Sequence, residues 1–258
     1  MGESLLEVRR LNKAFGSVVT AKDLNFSLYR GLITSIIGPN GAGKSTLINL
    51  LTGLLAPDSG EIWFQGREVT TEPIHRRVRQ GLCRSFQVVN VFGNLTLFEN
   101  LAIPVLALKG RAKGMIRSVT SLKDVRKDVE KVLEQVGLSD QAYMAARSLS
   151  HGDQRLLEVA IALAAKPRLL FLDEPTAGMN PVERSRILER IRELSQMGEV
   201  TFVIVEHDMD IVFSLSDRVM ALHRGQIIGD GSSEQIKMNP QVREVYLGEE
   251  VAHGVAGR

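Results

Sequence analysis

Cysteine is almost absent from this sequence, and the charges of the two signs nearly cancel. The 258 residues include one cysteine, Cys83, so no disulfide can form within the chain and a reducing compartment is expected. The 32 Lys and Arg residues against 30 Asp and Glu leave a formal net charge of +2, which argues against a dedicated nucleic-acid-binding protein. Apolar residues make up 44% and charged residues 24%, which excludes intrinsic disorder over most of the chain.

Long hydrophobic runs are also missing. A helix that spans a bilayer needs about 20 apolar residues. The longest candidates here are residues 101–108, which contain Pro104, and residues 159–165, which end before Lys166. Residues 1–4 have neither the basic start nor the apolar stretch of a secretory signal. We therefore expect that the chain does not itself span a membrane.

Cys83 and two basic clusters each allow a structural and a functional interpretation. Cys83 is expected to be a small buried residue rather than a reactive thiol. The basic clusters are expected to be solvated faces rather than anion-binding sites. They are residues 109–117 and the set formed by His75, Arg76, Arg77, Arg79 and Arg84.

The first ninety residues predict mostly β-structure. Apolar and polar residues alternate over 24–28, as in a half-buried strand, and residues 32–37 form a short apolar run typical of a buried strand. A helix is predicted over 46–52 with Gly53 as its stop. Residues 57–60, Pro-Asp-Ser-Gly, predict a turn before a strand at 62–64.

The middle of the chain predicts helices, and the last third predicts alternating strands and helices. Two apolar stripes at helical spacing are expected to be core faces; they are Val125, Val129, Val132, Leu133 and Val136, and Leu156, Val159, Ala160, Leu163 and Ala164. Strands at 169–172 and 201–205 flank a helix at 181–197, which indicates a mostly parallel sheet with helical crossovers. Strands at 219–222 and 227–228 predict a closing hairpin.

A glycine-rich loop follows the apolar run at 32–37. It matches the phosphate-binding pattern of Gly, any four residues, then Gly-Lys-Ser or Thr; the residues are Gly38, Pro39, Asn40, Gly41, Ala42, Gly43, Lys44, Ser45 and Thr46. Glycines let backbone N–H groups turn inward around a polyphosphate, and the helix N-terminus adds its positive dipole. We expect Lys44 to reach the β- and γ-phosphates and Ser45 to ligate Mg²⁺. The alternative is a glycine-rich connection that binds nothing.

An acidic pair ends the apolar strand at 169–172. Asp173 stands at the carboxyl end of that strand, where it can hold Mg²⁺ through water. Glu174 can accept a proton from an attacking water or orient that water. His207, just after the strand at 201–205, is expected to donate to the γ-phosphate and to polarise the water. The structural alternatives are helix caps for the acids and a packing role for the histidine.

Residues 149–153, Leu-Ser-His-Gly-Asp, open a predicted helix before the acidic strand. Ser150 can cap that helix, and exposed N–H groups around Gly152 suit an anion. Taken alone, the segment is typical of an ordinary helix cap.

These motifs, in this order and spacing, resemble the ATP-binding subunit of an ABC transporter, and the resemblance covers essentially the whole chain. The family signature Leu-Ser-Gly-Gly-Gln corresponds to residues 149–153. The resemblance implies that Gln87 senses Mg²⁺ and contacts the membrane subunit, that Phe15 stacks on adenine and that His207 is the switch histidine. It also implies that the signature of one subunit completes the ATP site of its partner through Ser150, His151, Gly152 and Asp153.

Three departures from the family pattern bear on the site. His151 and Asp153 replace Gly and Gln of the signature, and Asp153 brings a negative charge near a polyanion unless it points away or pairs with a base such as Arg155. Asn180 stands where the family usually has Asp, so a charge is lost and communication across the dimer is expected to change.

Finer resemblance points to one branch of the family. The sequence Ala-Gly-Met-Asn-Pro at 177–181, the long segment between Gln87 and Ser150, and the ending at 242–248 look similar to uptake systems for branched-chain amino acids and related amides. A lipopolysaccharide-type export ATPase and a soluble ABC ATPase of DNA repair or translation stay as alternatives. The soluble relatives tend to carry two ATPase domains or a coiled-coil insertion, which this chain lacks. A monomeric P-loop kinase or GTPase has no use for the signature.

We therefore expect an α/β fold with a RecA-like P-loop core. The core, with an N-terminal antiparallel β part, is expected over 1–87 and 160–248, a helical signature subdomain over 88–159 and a loose tail over 249–258. Expected cofactors are ATP and Mg²⁺, with the metal served by Ser45, Gln87 and Asp173.

The resemblance also implies partners and a place in the cell. Expected partners are a second ATPase subunit, identical or paralogous, in a head-to-tail dimer, and integral membrane permease subunits. A substrate-binding protein is an indirect partner, and no nucleic acid is expected. The expected location is peripheral, on the cytoplasmic face of the inner membrane.

Overall fold

The chain forms two compact units in the computed structural model, which describes residues 2–85, 91–111 and 122–246. The first unit combines residues 1–77 with 201–258, and the second comprises residues 78–200. The predicted boundaries at 87/88 and 159/160 stay a prediction. Gln87 and the tail at 249–258 lie outside the described residues.

An antiparallel sheet occupies the N-terminal part of the first unit. Its strands are numbered in chain order, and the sheet order is β2-β1-β4-β5. The strands are β1 (Ser4–Phe15), β2 (Val18–Tyr29), β4 (Ser59–Phe64) and β5 (Arg67–Glu68). The turn predicted at 57–60 is shorter than expected, because Ser59 already pairs with Asn12 of β1.

Parallel strands form the second layer of the first unit. Strand β3 (Thr34–Ile37) lies between β8 (Thr201–Val205) and β9 (Arg218–His223) and runs parallel to both. Strand β10 (Gln226–Gly231) closes the predicted hairpin with β9. All residues of β3 and β8 are buried, including the polar Thr34, Ser35 and Thr201, as is typical of strands covered on both faces.

Among the described residues, three helices lie wholly in the first unit, and the sequence predicted one of them. Helix α1 (Lys44–Thr52) begins two residues earlier than expected and ends at Gly53, which adopts the left-handed conformation with φ 79°. The short helices α7 (Met209–Leu215) and α8 (Ser233–Met238) were not predicted; Asp208 and Ser232 cap them. Six or seven residues are too few to show a helical period.

Where the structure describes the second unit, it shows a pair of parallel strands and four longer helices. Strand β6 (Leu82–Arg84) pairs with β7 (Leu169–Asp173), so the predicted mostly parallel arrangement is confirmed in both units. The helices are α3 (Leu97–Leu108), α4 (Lys123–Val136), α5 (His151–Ala164) and α6 (Pro181–Gln196). Helices α3, α4 and α5 pack on one another. Both predicted apolar stripes are buried, as expected for core faces.

Cys83 is a buried residue. Cys83 is 4% exposed, and burial raises the pKa of its thiol to about 12, which confirms a structural role.

Between residues 2 and 246, leaving out the gaps at 86–90 and 112–121, no helix has both the length and the apolarity to cross a membrane.

The first basic cluster is not a solvated face throughout. Helix α2 (Ile74–Gln80) leaves His75, Arg76 and Arg79 exposed, but Arg77 is 1% exposed. Burial lowers the pKa of the Arg77 guanidinium to about 10, so it stays charged at neutral pH.

Four backbone carbonyls compensate this buried charge. The Arg77 guanidinium donates to the carbonyls of Leu50 and Leu51 at 2.9 and 2.7 Å and to those of Glu72 and Thr70, both at 2.9 Å. Two of these acceptors are carbonyls in the last turn of α1, where the helix supplies too few amide donors; the Leu50 carbonyl also accepts from the Gly53 amide at 3.2 Å. Arg77 therefore caps the C-terminal end of the helix that follows the glycine-rich loop.

Replacing Arg77 with Met should destabilise the protein by about 3 kcal/mol, because the four carbonyls lose a charged donor while the packing of the stem is kept. Thermal unfolding should then show a Tm lowered by about 6 to 12 °C. The exposed neighbour variant Arg76→Met should stay within about 1 °C of the wild type. Equal Tm values for the two variants would contradict the capping role.

Candidate functional site

The glycine-rich loop connects β3 to α1 within the first unit. Gly41 and Gly43 have φ of 79° and 105°, a region that favours glycine. Gly43 is the N-cap residue of α1, no side chain caps this helix, and its first turn carries no acidic residue. The backbone amides at the start of α1 are therefore arranged to bind an anion.

Lys44 brings a positive charge into the same loop. Its side chain is buried, and its Nζ donates to the carbonyl oxygens of Gly38 at 2.5 Å and Pro39 at 3.0 Å. Ser45, the next residue, is exposed. The ammonium is thus held inside the loop by the loop's own backbone, where a polyphosphate would meet it.

His207 leaves the parallel sheet at the same edge as the loop. Strands β3 and β8 are neighbours and parallel, with Ile36 opposite Val205. Gly38 and His207 each stand two residues beyond this pair, and His207 is exposed. The register therefore brings the histidine and the loop to one end of the sheet.

Phe15 lies at the end of β1 with half of its surface exposed, 50%. Lys13 sits 5.4 Å from the centre of its ring and forms an ion pair with Asp58 at 2.6 Å. Asp58 also accepts from the Ala14 amide at 2.8 Å, and the hydrogen bond from Lys13 lowers the pKa of this carboxyl. Asp58 thus anchors the strand end that presents the aromatic ring.

The acidic pair lies in the second unit. Asp173 ends β7 and is 4% exposed, and its Oδ2 accepts from Arg84 Nη2 at 2.7 Å. Arg84 ends β6, the parallel neighbour of β7, so the solvated-face interpretation is wrong for Arg84 as well. No strand pattern is apparent in the sequence at 82–84. The position of Arg84 beside Asp173 could therefore not be predicted from the sequence.

Glu174 adopts a backbone conformation that is unusual for its residue type. Its φ is 47°, in the left-handed region, and its side chain is half-buried. Such a conformation costs on the order of 1 kcal/mol and is found mostly where the surrounding structure imposes it, functional sites included. The strain fits a carboxylate that must point in a set direction.

The signature helix α5 begins as the sequence predicted, with Ser150 as its cap. The Ser150 hydroxyl accepts from the Asp153 amide at 3.1 Å and donates to Asp153 Oδ2 at 3.0 Å. The other carboxylate oxygen of Asp153 binds Arg186 Nη1 of α6 at 2.7 Å. The suggested pairing with Arg155 is wrong, since Arg155 binds Glu158 at 2.8 Å.

A side chain of helix α6 also accepts a hydrogen bond from a backbone amide of the signature. The Gly152 amide donates to Glu183 Oε1 at 3.3 Å, and Glu183 completes a capping box with Asn180 at the start of α6. A Cβ at Gly152 would lie 3.1 Å from Glu183 Cγ, so a larger residue would displace the Glu183 side chain. Asn180 retains a capping function without the charge of Asp. His151 lies close to the loop before α6, since a Cβ at Gly178 would be 3.7 Å from its ring.

Oxygen donors for Mg²⁺ occur in the described residues without a dedicated cluster of metal-binding side chains. No group of three or more His, Cys, Asp or Glu side chains suited to a metal occurs in residues 2–85, 91–111 and 122–246. Mg²⁺ takes oxygen ligands, few of them from protein and the rest from phosphates and water. The Ser45 hydroxyl of the first unit and the Asp173 carboxylate of the second are each oxygen donors of the kind that Mg²⁺ accepts.

Comparison with known families gives two matches along the sequence. Residues 21–177, more than half of the chain, match the model of the ABC transporter family. Residues 226–252 match the model described as branched-chain amino acid ATP-binding cassette transporter. The first match contains the phosphate loop, the signature and the acidic strand.

Curated relatives align over nearly the whole chain. The probable branched-chain amino acid transport ATP-binding protein LivG of Archaeoglobus fulgidus is 39% identical over 249 residues, 95% of each protein. The high-affinity branched-chain amino acid transport ATP-binding protein LivG of Escherichia coli is 37% identical over 96% of this chain and 100% of its own length. BraF of Pseudomonas aeruginosa, described in the same words, has the same identity and coverage.

Solved structures share the fold. An ATP-binding cassette of an ABC transporter in its ADP conformation superposes with a TM-score of 0.84 at 33% identity, over 95% of this chain and 99% of that one. A nucleotide-free cassette gives a TM-score of 0.82 at 31% identity with the same coverage. The expected RecA-like α/β fold is confirmed, and the chain belongs to the ATP-binding proteins of the ABC transporter family and is an ATPase.

Proposed function

We propose that this protein is the ATP-hydrolysing subunit of an importer for branched-chain amino acids or related small amides. One observation carries the choice of substrate class: residues 226–252 match a model specific to branched-chain amino acid cassettes. The relatives named above carry the same substrate in their descriptions. With this assignment the protein is placed peripherally on the cytoplasmic face of the inner membrane.

The first unit binds the nucleotide phosphates in this proposal. The amides at the start of α1 and the Lys44 ammonium surround the β- and γ-phosphates and stabilise the charge that is transferred. Phe15 offers its exposed ring to the adenine. His207, at the same edge of the sheet as the loop, donates to the γ-phosphate.

The acidic strand supplies the groups that act on water and metal. Ser45, Asp173 and Gln87 would hold Mg²⁺, which offsets charge on the phosphates when bound. Glu174 accepts the proton of the attacking water or orients that water. Arg84, paired with Asp173, holds one carboxylate oxygen in place and offsets the buried charge.

ATP is proposed to close a head-to-tail dimer, with an identical or paralogous subunit, in which each signature completes the partner's site. Binding favours the closed dimer and hydrolysis reopens it, so the difference in ATP affinity between the two states performs the work. The charge of Asp153 faces a polyanion in this arrangement. The ion pair with Arg186 offsets that charge.

The permease is proposed to dock on exposed apolar side chains of the second unit. Phe92 and Tyr143 are 59% and 64% exposed, and their segments run side by side through an isolated bridge between Thr96 and Ala145. The backbone of Phe92 is held on both sides by the buried Asn100, at 2.9 and 3.1 Å. An ordered aromatic exposed in this way is typical of a binding surface.

Glu174→Gln should bind ATP with about wild-type affinity but hydrolyse it at least about 100-fold more slowly, because the amide cannot accept a proton. Steady-state turnover and equilibrium ATP binding measure the two properties separately. The exposed Glu189→Gln on α6 is the matched control and should keep full turnover. If Glu174→Gln hydrolysed ATP at the wild-type rate, Glu174 would not be the base.

Arg186→Gln should weaken ATP-dependent dimerisation about threefold, because Asp153 then keeps an uncompensated charge at an exposed pair. Asp153→Gln and the double variant should dimerise like the parent. All are compared by sedimentation velocity with ATP in the Glu174→Gln background. A double variant as weak as Arg186→Gln would show that charge compensation is not the role of Arg186.

The complex purified from detergent-solubilised membranes should contain integral permease subunits, and its ATPase should rise when the cognate binding protein carries leucine, isoleucine or valine. Phe92→Lys should lower the yield of permease about tenfold, because a charge replaces an exposed aromatic side chain that the permease would cover. Met197→Lys, at an exposed apolar position after α6, is the control.

Three outcomes would contradict the proposal. Recovery of a lipopolysaccharide-type export complex, or of ribosomes or DNA-repair proteins without a permease, would support the corresponding alternative. Equal permease yields from Phe92→Lys and Met197→Lys would remove the docking surface. A permease complex that responds to none of the three amino acids would remove the substrate class.

A further inference from the structure

The turn between β9 and β10 is bonded to the phosphate loop. The Gly225 amide donates to the Ala42 carbonyl at 2.9 Å, and the Gly225 carbonyl accepts from the Lys22 amide of β2 at 2.8 Å. Gly225 thus bridges the loop that binds phosphate and a strand of the antiparallel sheet. All three residues belong to the first unit.

The backbone around Thr20 packs against Gly225 and against Gly43 of the phosphate loop. A Cβ at Gly225 would lie 2.8 Å from the Thr20 carbonyl carbon and 3.0 Å from the Ala21 nitrogen. A Cβ at Gly43 would overlap the Thr20 carbonyl oxygen, and one at Gly38 would overlap the Leu222 carbonyl oxygen at the end of β9. At these three positions, therefore, the backbone of β2 or β9 lies too close for a side chain.

The same contacts reach the residues that precede Phe15. The Thr20 hydroxyl donates to the Lys13 carbonyl at 3.2 Å, and Phe15 pairs with Val18 at the hairpin end of β1 and β2. A single backbone cluster therefore joins the phosphate loop, the β9–β10 turn and the strand end that presents the aromatic ring.

We propose that Gly225 is a positioning residue for nucleotide binding. Its peptide holds the phosphate loop in the binding conformation and ties the position of the loop to that of the Phe15 hairpin. This inference rests on ATP binding by the chain and adds a residue outside every motif discussed above. A loop that is only fractionally in the binding conformation has an apparent affinity reduced by that fraction.

The chain offers a matched control for backbone strain. Gly66 closes the turn between β4 and β5 with φ 74°, the same value as Gly225, and each follows a residue with positive φ, Gln65 or Arg224. A Cβ at Gly66 would meet nothing within 4 Å. Alanine therefore strains both turns equally, but only at Gly225 does it press on Thr20 and the loop.

Gly225→Ala should raise the Kd for MgATP and MgADP and the KM for ATP about tenfold, while kcat at saturating ATP stays within about threefold. Saturating nucleotide draws the loop back into place, which accounts for the difference between KM and kcat. Gly66→Ala should keep both constants within about twofold. The measurements are isothermal titration calorimetry and steady-state kinetics, with the Tm of each apo variant as a check of folding.

Equal Kd values for Gly66→Ala and Gly225→Ala would overturn the proposal, even if Gly225→Ala lowers the Tm, since the role would then be structural only. If Gly225→Ala does not fold, hydrogen exchange in the wild-type protein tests the proposal instead. Amide hydrogen exchange should slow at Lys22 and Gly225 when MgADP binds and stay unchanged in the turn at 65–66. Unchanged exchange at Lys22 and Gly225 would overturn the proposal. Loss of ATP binding by the wild type itself would instead contradict the proposed function.

Discussion

Backbone amides can bind a polyphosphate only where they converge and no protein group satisfies them first. This constraint shapes the first unit. Gly43 provides no side chain to cap α1, Gly41 and Gly43 take backbone angles that other residues avoid, and Lys44 is held inside by the loop's own carbonyls. The opposite end of α1 is closed by Arg77. One end of the helix is thus arranged for an external anion, and the other for an internal cation.

Two acidic side chains outside the phosphate loop form ion pairs with arginines of other secondary-structure elements. Asp173 is paired with Arg84, and Asp153 with Arg186. Each pair brings together residues distant in sequence, 84 with 173 and 153 with 186, so each links two secondary-structure elements. A buried carboxylate without such a partner would be costly. Each pair therefore gives its carboxylate a hydrogen-bonded cationic partner from another secondary-structure element.

Much of the site could be predicted from the sequence, because phosphate chemistry demands particular residues at fixed local spacing. The phosphate loop, its strand and helix, the acidic strand, the Ser150 cap and the histidine after β8 are all local patterns, and the structure has each where it was expected. The expectations for Arg77 and Arg84 were wrong for one reason. Composition shows that arginines cluster, but burial of each one depends on which element packs over it.

Some properties of this protein follow from its local sequence, and others follow only from long-range packing. The sequence by itself determined the fold class, the membership in a family of ATPases and the residues offered to phosphate, since these depend on spacing along one strand, loop or helix. Only the tertiary structure decided that Arg186 and not Arg155 pairs with Asp153, that Glu183 occupies the Gly152 amide, and that Gly225 bridges Ala42 and Lys22. These contacts join residues far apart in the chain, and no local pattern encodes which distant backbone or side chain will arrive within hydrogen-bonding distance.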